Sequence, residues 1–323
     1  MIWNKGKESN HLMIRLVAVR LARSAIVLVA VTVATFLLVY LMGDPVYALV
    51  PLDSPPDVVE TTRQHFGLDR PIYVQYMYFV RQALQGNLGD SFRYRRSALS
   101  LVLQRLPATI QLTLASMGIA TMVAMPVGIL SAVKRRGVLD YAGLAISTLA
   151  IAVPPFWLGI MLILLFADYV RWFPPSGKGS LSSLVLPAIA MSAYNIGLMT
   201  RLVRSSMLEE LGREYITTAR SKGLPEATIT YRHALRNALI PTVTVVGLQF
   251  GRLIGGSVII ETVFAWPGVG RLMMQAIDTR DLPVIRSVVL VVALCFILIN
   301  LLVDISYAYL DPRIGHATGS GDT

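Results

Sequence analysis

Six uncharged or nearly uncharged stretches punctuate the chain: 24–43, 107–133, 141–167, 179–200, 237 to about 260, and 287–303. Five are about 20 residues or longer and the last is 17, all reaching the length an apolar helix needs to cross a bilayer. The pattern predicts an all-α membrane protein with six transmembrane helices. The first run is longer than a secretion-signal core. Gly43-Asp44-Pro45 follows it in place of a small-residue cleavage site, so it reads as a retained helix. Lys134, Arg135 and Arg136 end the second run sharply, Pro154-Pro155 should kink the third, and Arg252 interrupts the fifth.

The polar stretches have patterns of their own. Segment 44–104 opens with Pro45, Pro51, Pro55 and Pro56 and turns helix-like from Val58 until Phe66-Gly67-Leu68-Asp69-Arg70-Pro71. Tyr73, Tyr76, Met77, Val80 and Leu84 then recur at three- and four-residue steps, an amphipathic helix that Gly86-Asn87-Leu88-Gly89-Asp90-Ser91 closes. Arg171 to Lys178 is a turn-rich loop, and 318–323 is small and polar. The stretch 212–241 is basic and helix-prone. A helix fits 214–222, Gly223 supplies a left-handed stop, and Pro225 with Glu226 can open a second short helix. This makes a helix–turn–helix bracket hung between two spans, although an ordinary basic loop has the same composition.

Composition supports the membrane class. Of 323 residues 54% are hydrophobic and 15% charged, with a mean hydropathy of +0.61. The net charge of +10 lies in the loops, so inside-positive bias explains it without nucleic acid. With the N-terminus inside, the N-terminal tail, 134–136 and the stretch 201–236 around the bracket carry 5, 3 and 7 Lys and Arg, 15 in all, and the short outer loops carry 5. The 44–104 segment is too long to count. Both termini and the bracket are then cytoplasmic. Cys295, the lone cysteine, allows no intrachain disulfide.

Glu214, Ala219, Gly223 and the closing Ile240-Pro241 resemble the EAA loop of ABC importer permeases. The wording Glu214-Tyr215-Ile216 and Ala219-Arg220-Ser221-Lys222-Gly223-Leu224 is similar to the dipeptide/oligopeptide/nickel branch. Thr218 stands where the motif has its first alanine. Further phrases resemble the same branch: Gly-Leu-Asp-Arg-Pro and Gly-x-Leu-Gly-x-Ser in 44–104, Arg105-Leu106-Pro107-Ala108-Thr109, Glu261-x-x-Phe264-x-x-Pro267-Gly268-x-Gly270, and Asp311-Pro312-Arg313. The resemblance implies an inner-membrane complex. Its parts are this chain, a homologous second permease subunit, two ATP-binding subunits that carry ATP and Mg, and an extracytoplasmic substrate-binding protein. It divides the chain into a tail and first helix (1–43), an extracytoplasmic segment facing the binding protein (44–104), a permease core (105–310) and a cytoplasmic tail (311–323). It makes the bracket a coupling helix on an ATPase, with Glu214, Tyr215, Ala219, Lys222, Gly223 and Leu224 at the contact. Arg232, Arg236 and Pro241 anchor the bracket, although an inside-positive role fits both arginines equally. Short peptides are the substrate favoured within the branch; nickel chelates, glutathione, opines and oligosaccharides are the alternatives.

The chain has no Gly-x-x-x-x-Gly-Lys-Ser/Thr phosphate loop, so ATP is not expected to bind here. His11, His65, His233 and His316 have no metal-ligand spacing, and no protease or hydrolase signature occurs, so no catalytic, cofactor or metal residue is assigned. Arg252 is expensive in a span; it fits either a translocation path that meets an anionic group or a tilted helix from which it snorkels. Asp304 fits a helix-end bond to a neighbouring span. Glu261, Phe264, Pro267 and Gly268 form the outer loop, where Glu261 either holds the Pro-Gly turn or belongs to a gate. A self-sufficient secondary transporter needs mid-membrane coupling carboxylates and inverted repeats, and the sequence displays neither.

Overall fold

The computed structural model describes residues 22–37, 40, 44–48, 50, 53–65 and 67–310, with side-chain detail ending at 303. The basic tail before Ala22, Phe66, the side chain of Asp304, and Asp311-Pro312-Arg313 with the tail beyond lie outside the described residues. The described regular structure is helical apart from one isolated bridge, Asp90 to Ser97.

Among the described residues four helices are long and apolar enough to cross a membrane: α4 (Ala98–Val133), α7 (Ser182–Leu211), the helix Glu226–Gly256, and α13 (Leu282–Leu310), whose apolar part is Leu282–Val303. A fifth crossing exists if α5 (Val138–Ala152) and Pro155–Tyr169 are one span bent by 99°. The expected kink at Pro154-Pro155 is therefore a break. Two consecutive residues lack an N–H, and Pro155 restarts α6 (Pro155–Leu162) at its first position. Ala22–Leu37, α1, is a shorter apolar helix. The fourth run is longer than its apolar stretch suggests. Val203, Met207 and Leu211 keep the inward spacing after the uncharged residues end at Thr200.

The chain divides into two units, Met1–Pro107 with Arg271–Thr323, and Ala108–Gly270. In the first, α2 (Pro56–His65) and α3 (Ile72–Leu84) follow α1. Phe36 meets Tyr40 and Tyr76 at 5.5 Å and Phe79 at 6.0 Å, and the Arg286 guanidinium stands 5.4 Å over the Phe79 ring. Of the expected α3 stripe, Tyr76 and Val80 are partly covered, whereas Tyr73, Met77 and Leu84 are exposed. Ser91 closes the following loop. Its hydroxyl donates to buried Asp281, which also accepts the N–H groups of Phe92 and Arg93, both at 3.3 Å.

In the second unit α7 is the central helix and packs against α5, α6 and α10 (Leu235–Gly256). Gly197 makes one of these contacts possible, because a Cβ there would sit 2.4 Å from the Ser147 carbonyl oxygen. Arg204 of α7 grips Asp140 of α5 with two bonds, 2.6 and 2.9 Å, and the Arg136 N–H adds a third. One of the seven positive charges counted around the bracket is thus spent on a carboxylate inside the unit.

Candidate functional site

The bracket begins where α7 stops at Gly212. Arg213 pairs with Glu209 at 2.8 Å and Glu210 at 3.2 Å, and α8 (Glu214–Ser221) follows. Gly223 ends α8 with φ +73°. Its N–H donates to the Arg220 carbonyl at 2.9 Å, and the Leu224 N–H reaches back to the Ala219 carbonyl at 3.3 Å. This pair of bonds is the Schellman stop, which needs a left-handed residue where Gly223 stands. Arg220 then pairs with Glu226 across the turn at 2.7 Å.

Ile216 and Ala219 turn inward and join Ile229, Ala234 and Ala238 with Val203, Met207, Ile129 and Ala132 in one apolar cluster. Ala219, expected at the docking surface, is only 8% exposed. Its small side chain belongs to the packing beneath that surface. Glu214, Lys222, Gly223 and Leu224 face outward together. Tyr215 is half a surface residue and half a tie: its hydroxyl donates to Glu210 at 2.6 Å and accepts from the Asn237 amide at 3.0 Å. Burial, then the Glu210 bond, raises the Tyr215 phenol above its usual pKa.

The second bracket helix is not short. Glu226–Thr228 runs through a π segment, Ile229–Ala234, into α10, and Pro241 sits inside that helix rather than closing the bracket. The wider π turn keeps Ile229, Ala234 and Ala238 on the buried side, and Pro241 costs only one backbone bond. Arg232 and Arg236 are exposed on this continuous helix.

About 45 Å of helix separates Glu226 from Gly256 at about 1.5 Å per residue. Beyond it, Glu261 lies on α11 (Val258–Val263), not in a loop, and is 0% exposed. Its Oε1 accepts the Thr109 hydroxyl at 2.6 Å and the Ser257 hydroxyl at 3.0 Å. Thr109 in turn accepts the Val269 N–H at 2.8 Å, and the Trp266 indole N–H donates to the Ala108 carbonyl at 2.9 Å. Phe264 is buried in the adjoining core, Pro267 is partly covered, and Gly268 packs where any Cβ would strike the Glu261 carboxylate at 2.2–2.4 Å. Thr109 thus links the Glu261 carboxylate to the Pro-Gly turn, and these contacts together form a clasp.

Arg252 lies on the exposed side of α10 beside Leu248, Gly255 and Gly256. Its Nη1 donates to Gln249 Oε1 at 3.3 Å, and Gln249 Nε2 donates to Asn195 Oδ1 at 3.0 Å. Neither amide was singled out by sequence, although a lone Asn or Gln in an apolar run is a signal in its own right. The structure thus keeps three groups apart in the second unit: the bracket, the clasp, and Arg252 with its amides. Among the described residues no group of three or more His, Cys, Asp or Glu is placed to hold a metal ion.

A family model described as "Binding-protein-dependent transport system inner membrane component" matches residues 124–316, and a model of the N-terminal part of such membrane components matches 13–113. The chain is 37% identical over 317 residues to the dipeptide transport system permease protein DppB of Alkalihalophilus pseudofirmus, covering 89% of this chain and 95% of that one. It is 40% identical over 288 residues to the glutathione transport system permease protein GsiC of Salmonella choleraesuis, covering 89% and 94%. In fold it is similar to a chain of an inward-facing MetNI methionine ABC transporter, with a TM-score of 0.57 and 21% identity over 65% of this chain and 96% of that one. The chain therefore belongs to the binding-protein-dependent transport system inner membrane components, as the permease of an ABC importer in the peptide and nickel branch.

Proposed function

We propose that this permease imports short peptides by alternating access, driven by ATPase subunits that dock on the bracket. The observation that carries the substrate is the pair of relatives matched along nearly their whole length. One is named for dipeptides and the other for glutathione, itself a tripeptide. The six apolar runs and the 15-to-5 charge asymmetry support six spans with both termini and the bracket cytoplasmic. A homologous second permease, two ATP-binding subunits with ATP and Mg, and an extracytoplasmic binding protein complete the machine. The absent phosphate loop supports placing nucleotide chemistry on the partners.

The outward group Glu214, Lys222, Gly223 and Leu224 is suited to a docking contact because the bracket beneath it is rigid. The apolar cluster, the Schellman stop and the Tyr215 tie hold α8 to α7 and α10. A push on α8 is then delivered to two spans. Arg232 and Arg236 sit where they can pair with the ATPase or with lipid phosphates. Arg252 lies on the translocation path and meets an anionic group of the substrate.

The test is peptide-stimulated ATP hydrolysis and uptake by the reconstituted complex, with and without Glu214→Ala plus Gly223→Asp. The expected result is an assembled complex in which hydrolysis no longer drives uptake. Intact uptake in the double variant would remove the bracket from the mechanism.

A further inference from the structure

We infer that Asn195, Gln249 and Arg252 form a relay that reads the terminal carboxylate of the transported peptide. Arg252 is the binding group, and the two amides are positioning residues. The inference rests on the peptide-import reading given above.

The chemistry of the three groups fixes their order. A guanidinium is donor-only, so the Gln249 amide must turn its oxygen to Arg252 and its NH₂ away. That NH₂ meets the Asn195 oxygen at 3.0 Å, and the guanidinium meets Gln249 at 3.3 Å. Gln249 is 4% and Asn195 2% exposed, so the relay is rooted in the packed interface of α7 and α10. A snorkelling arginine needs no such root; its long stem goes to the nearest water unaided.

The outward side of the relay is open. Gln249 is the one hydrogen-bond partner of Arg252 among the described residues, and it brings no charge. Four guanidinium N–H donors remain. Gly255 and Gly256, one turn further on, leave the adjoining strip bare: a Cβ at either meets nothing within 4 Å. A planar donor fork beside a bare strip matches a carboxylate, which it binds with two parallel bonds. The apolar helix around it makes a permanently uncompensated cation costly, which favours a site completed by a passing anion.

The experiment uses the full complex in vesicles with its binding protein. ATP hydrolysis is measured with an alanine dipeptide and with the C-terminal amide of that dipeptide, each at a concentration that saturates the binding protein. The wild type is expected to favour the free acid by about tenfold, the value of one charge-assisted contact. Arg252→Ala and Gln249→Met should bring the ratio to about one by lowering the rate with the free acid more than the rate with the amide. Gln249→Glu keeps an acceptor for Arg252 but fills it with a protein carboxylate, so the free acid should lose its advantage there too. A merely structural role would slow both peptides alike in all three variants, and that result overturns the relay. An unchanged ratio overturns it as well. Failure of Arg252→Ala to assemble assigns Arg252 to a subunit contact, and a ratio that follows the anionic lipid content of the vesicles assigns it to headgroups; either excludes the carboxylate role. A wild type that responds to neither peptide defeats peptide import itself. A wild type stimulated equally by both leaves peptide import standing and removes the relay.

Discussion

Gly268 and Glu261 show how one residue constrains another in the clasp. A Cβ at Gly268 would lie 2.2–2.4 Å from the Glu261 carboxylate, which is already bonded to Thr109 and Ser257 and has no room to withdraw. Gly268→Ala is expected to destabilise the permease by about 1–3 kcal/mol, the usual cost of overpacking. Glu261→Ala should cost about as much, because the buried Thr109 hydroxyl loses its acceptor, while Ser257 keeps the Ile254 carbonyl. Thermal unfolding of the purified permease in detergent measures both, and a midpoint unchanged in each would show that the clasp adds no stability. A second residue pair makes a pH prediction. The Arg63 guanidinium beside Asp44 holds its carboxyl below the usual range. Because the folded value is depressed, the stabilisation is present above the ordinary aspartate pKa and is lost as pH falls through the folded one. Asp44→Asn should lower the unfolding midpoint at pH 7, by an amount that shrinks as the pH is taken down through the acid range. Both partners are about a third exposed, so the effect stays within about 1 kcal/mol.

At the scale of elements, the bracket is the part whose sequence spoke most directly. Gly223 announced the end of α8 because a left-handed stop is a local requirement, satisfied by residues at most five apart. What followed was hidden for the opposite reason. Pro225 and Pro241 both look like boundaries, yet the helix from Glu226 continues, since the buried spacing of Ile229, Ala234 and Ala238 is set by α4 and α7. Ala219 turned inward for the same cause. Glu261 moved from a loop to a buried helix because its partner Thr109 lies 152 residues away, and Asn195 meets Gln249 across 54. Local grammar carried the elements, and distant partners decided which face of each was used. The Tyr215 tie turns this into a prediction. Tyr215→Phe removes the hydroxyl that joins Glu210 of α7 to Asn237 of α10 while keeping the ring. The complex should assemble normally and hydrolyse ATP, with uptake per ATP reduced several-fold, because α8 loses its polar link to both spans. Gly223→Asn, which tolerates the left-handed backbone, should behave nearly as wild type, whereas Gly223→Val should not. Equal coupling in all three variants would show that the shape of the bracket does not matter to transport.

For the molecule as a whole, the number of crossings decides whether the two ends share one side of the membrane, and the charge asymmetry then sets which side that is. Among the described residues four helices are long and apolar enough to cross, a fifth crossing requires the pair bent at Pro154-Pro155 to be one span, and a sixth requires the first run to cross. An odd number would put the two termini on opposite sides, so the bent pair carries particular weight. If α5 and Pro155–Tyr169 together make one crossing, the loop with Ser176 and the bracket with Thr217 lie on opposite sides, because α7 alone stands between them. If the pair is a re-entrant hairpin, α7 still separates those two sites, but the turn at Lys134 to Arg136 moves to the side of Ser176. Three single-cysteine variants in a Cys295→Ser background separate these cases: S176C, R135C and T217C, all at exposed positions. A membrane-impermeant thiol reagent added to intact cells should label S176C alone, and R135C and T217C should react only after permeabilisation. Labelling of R135C together with S176C would make the bent pair re-entrant and reduce the crossings by one. Labelling of T217C from outside would invert the permease and place the bracket where no ATPase can reach it.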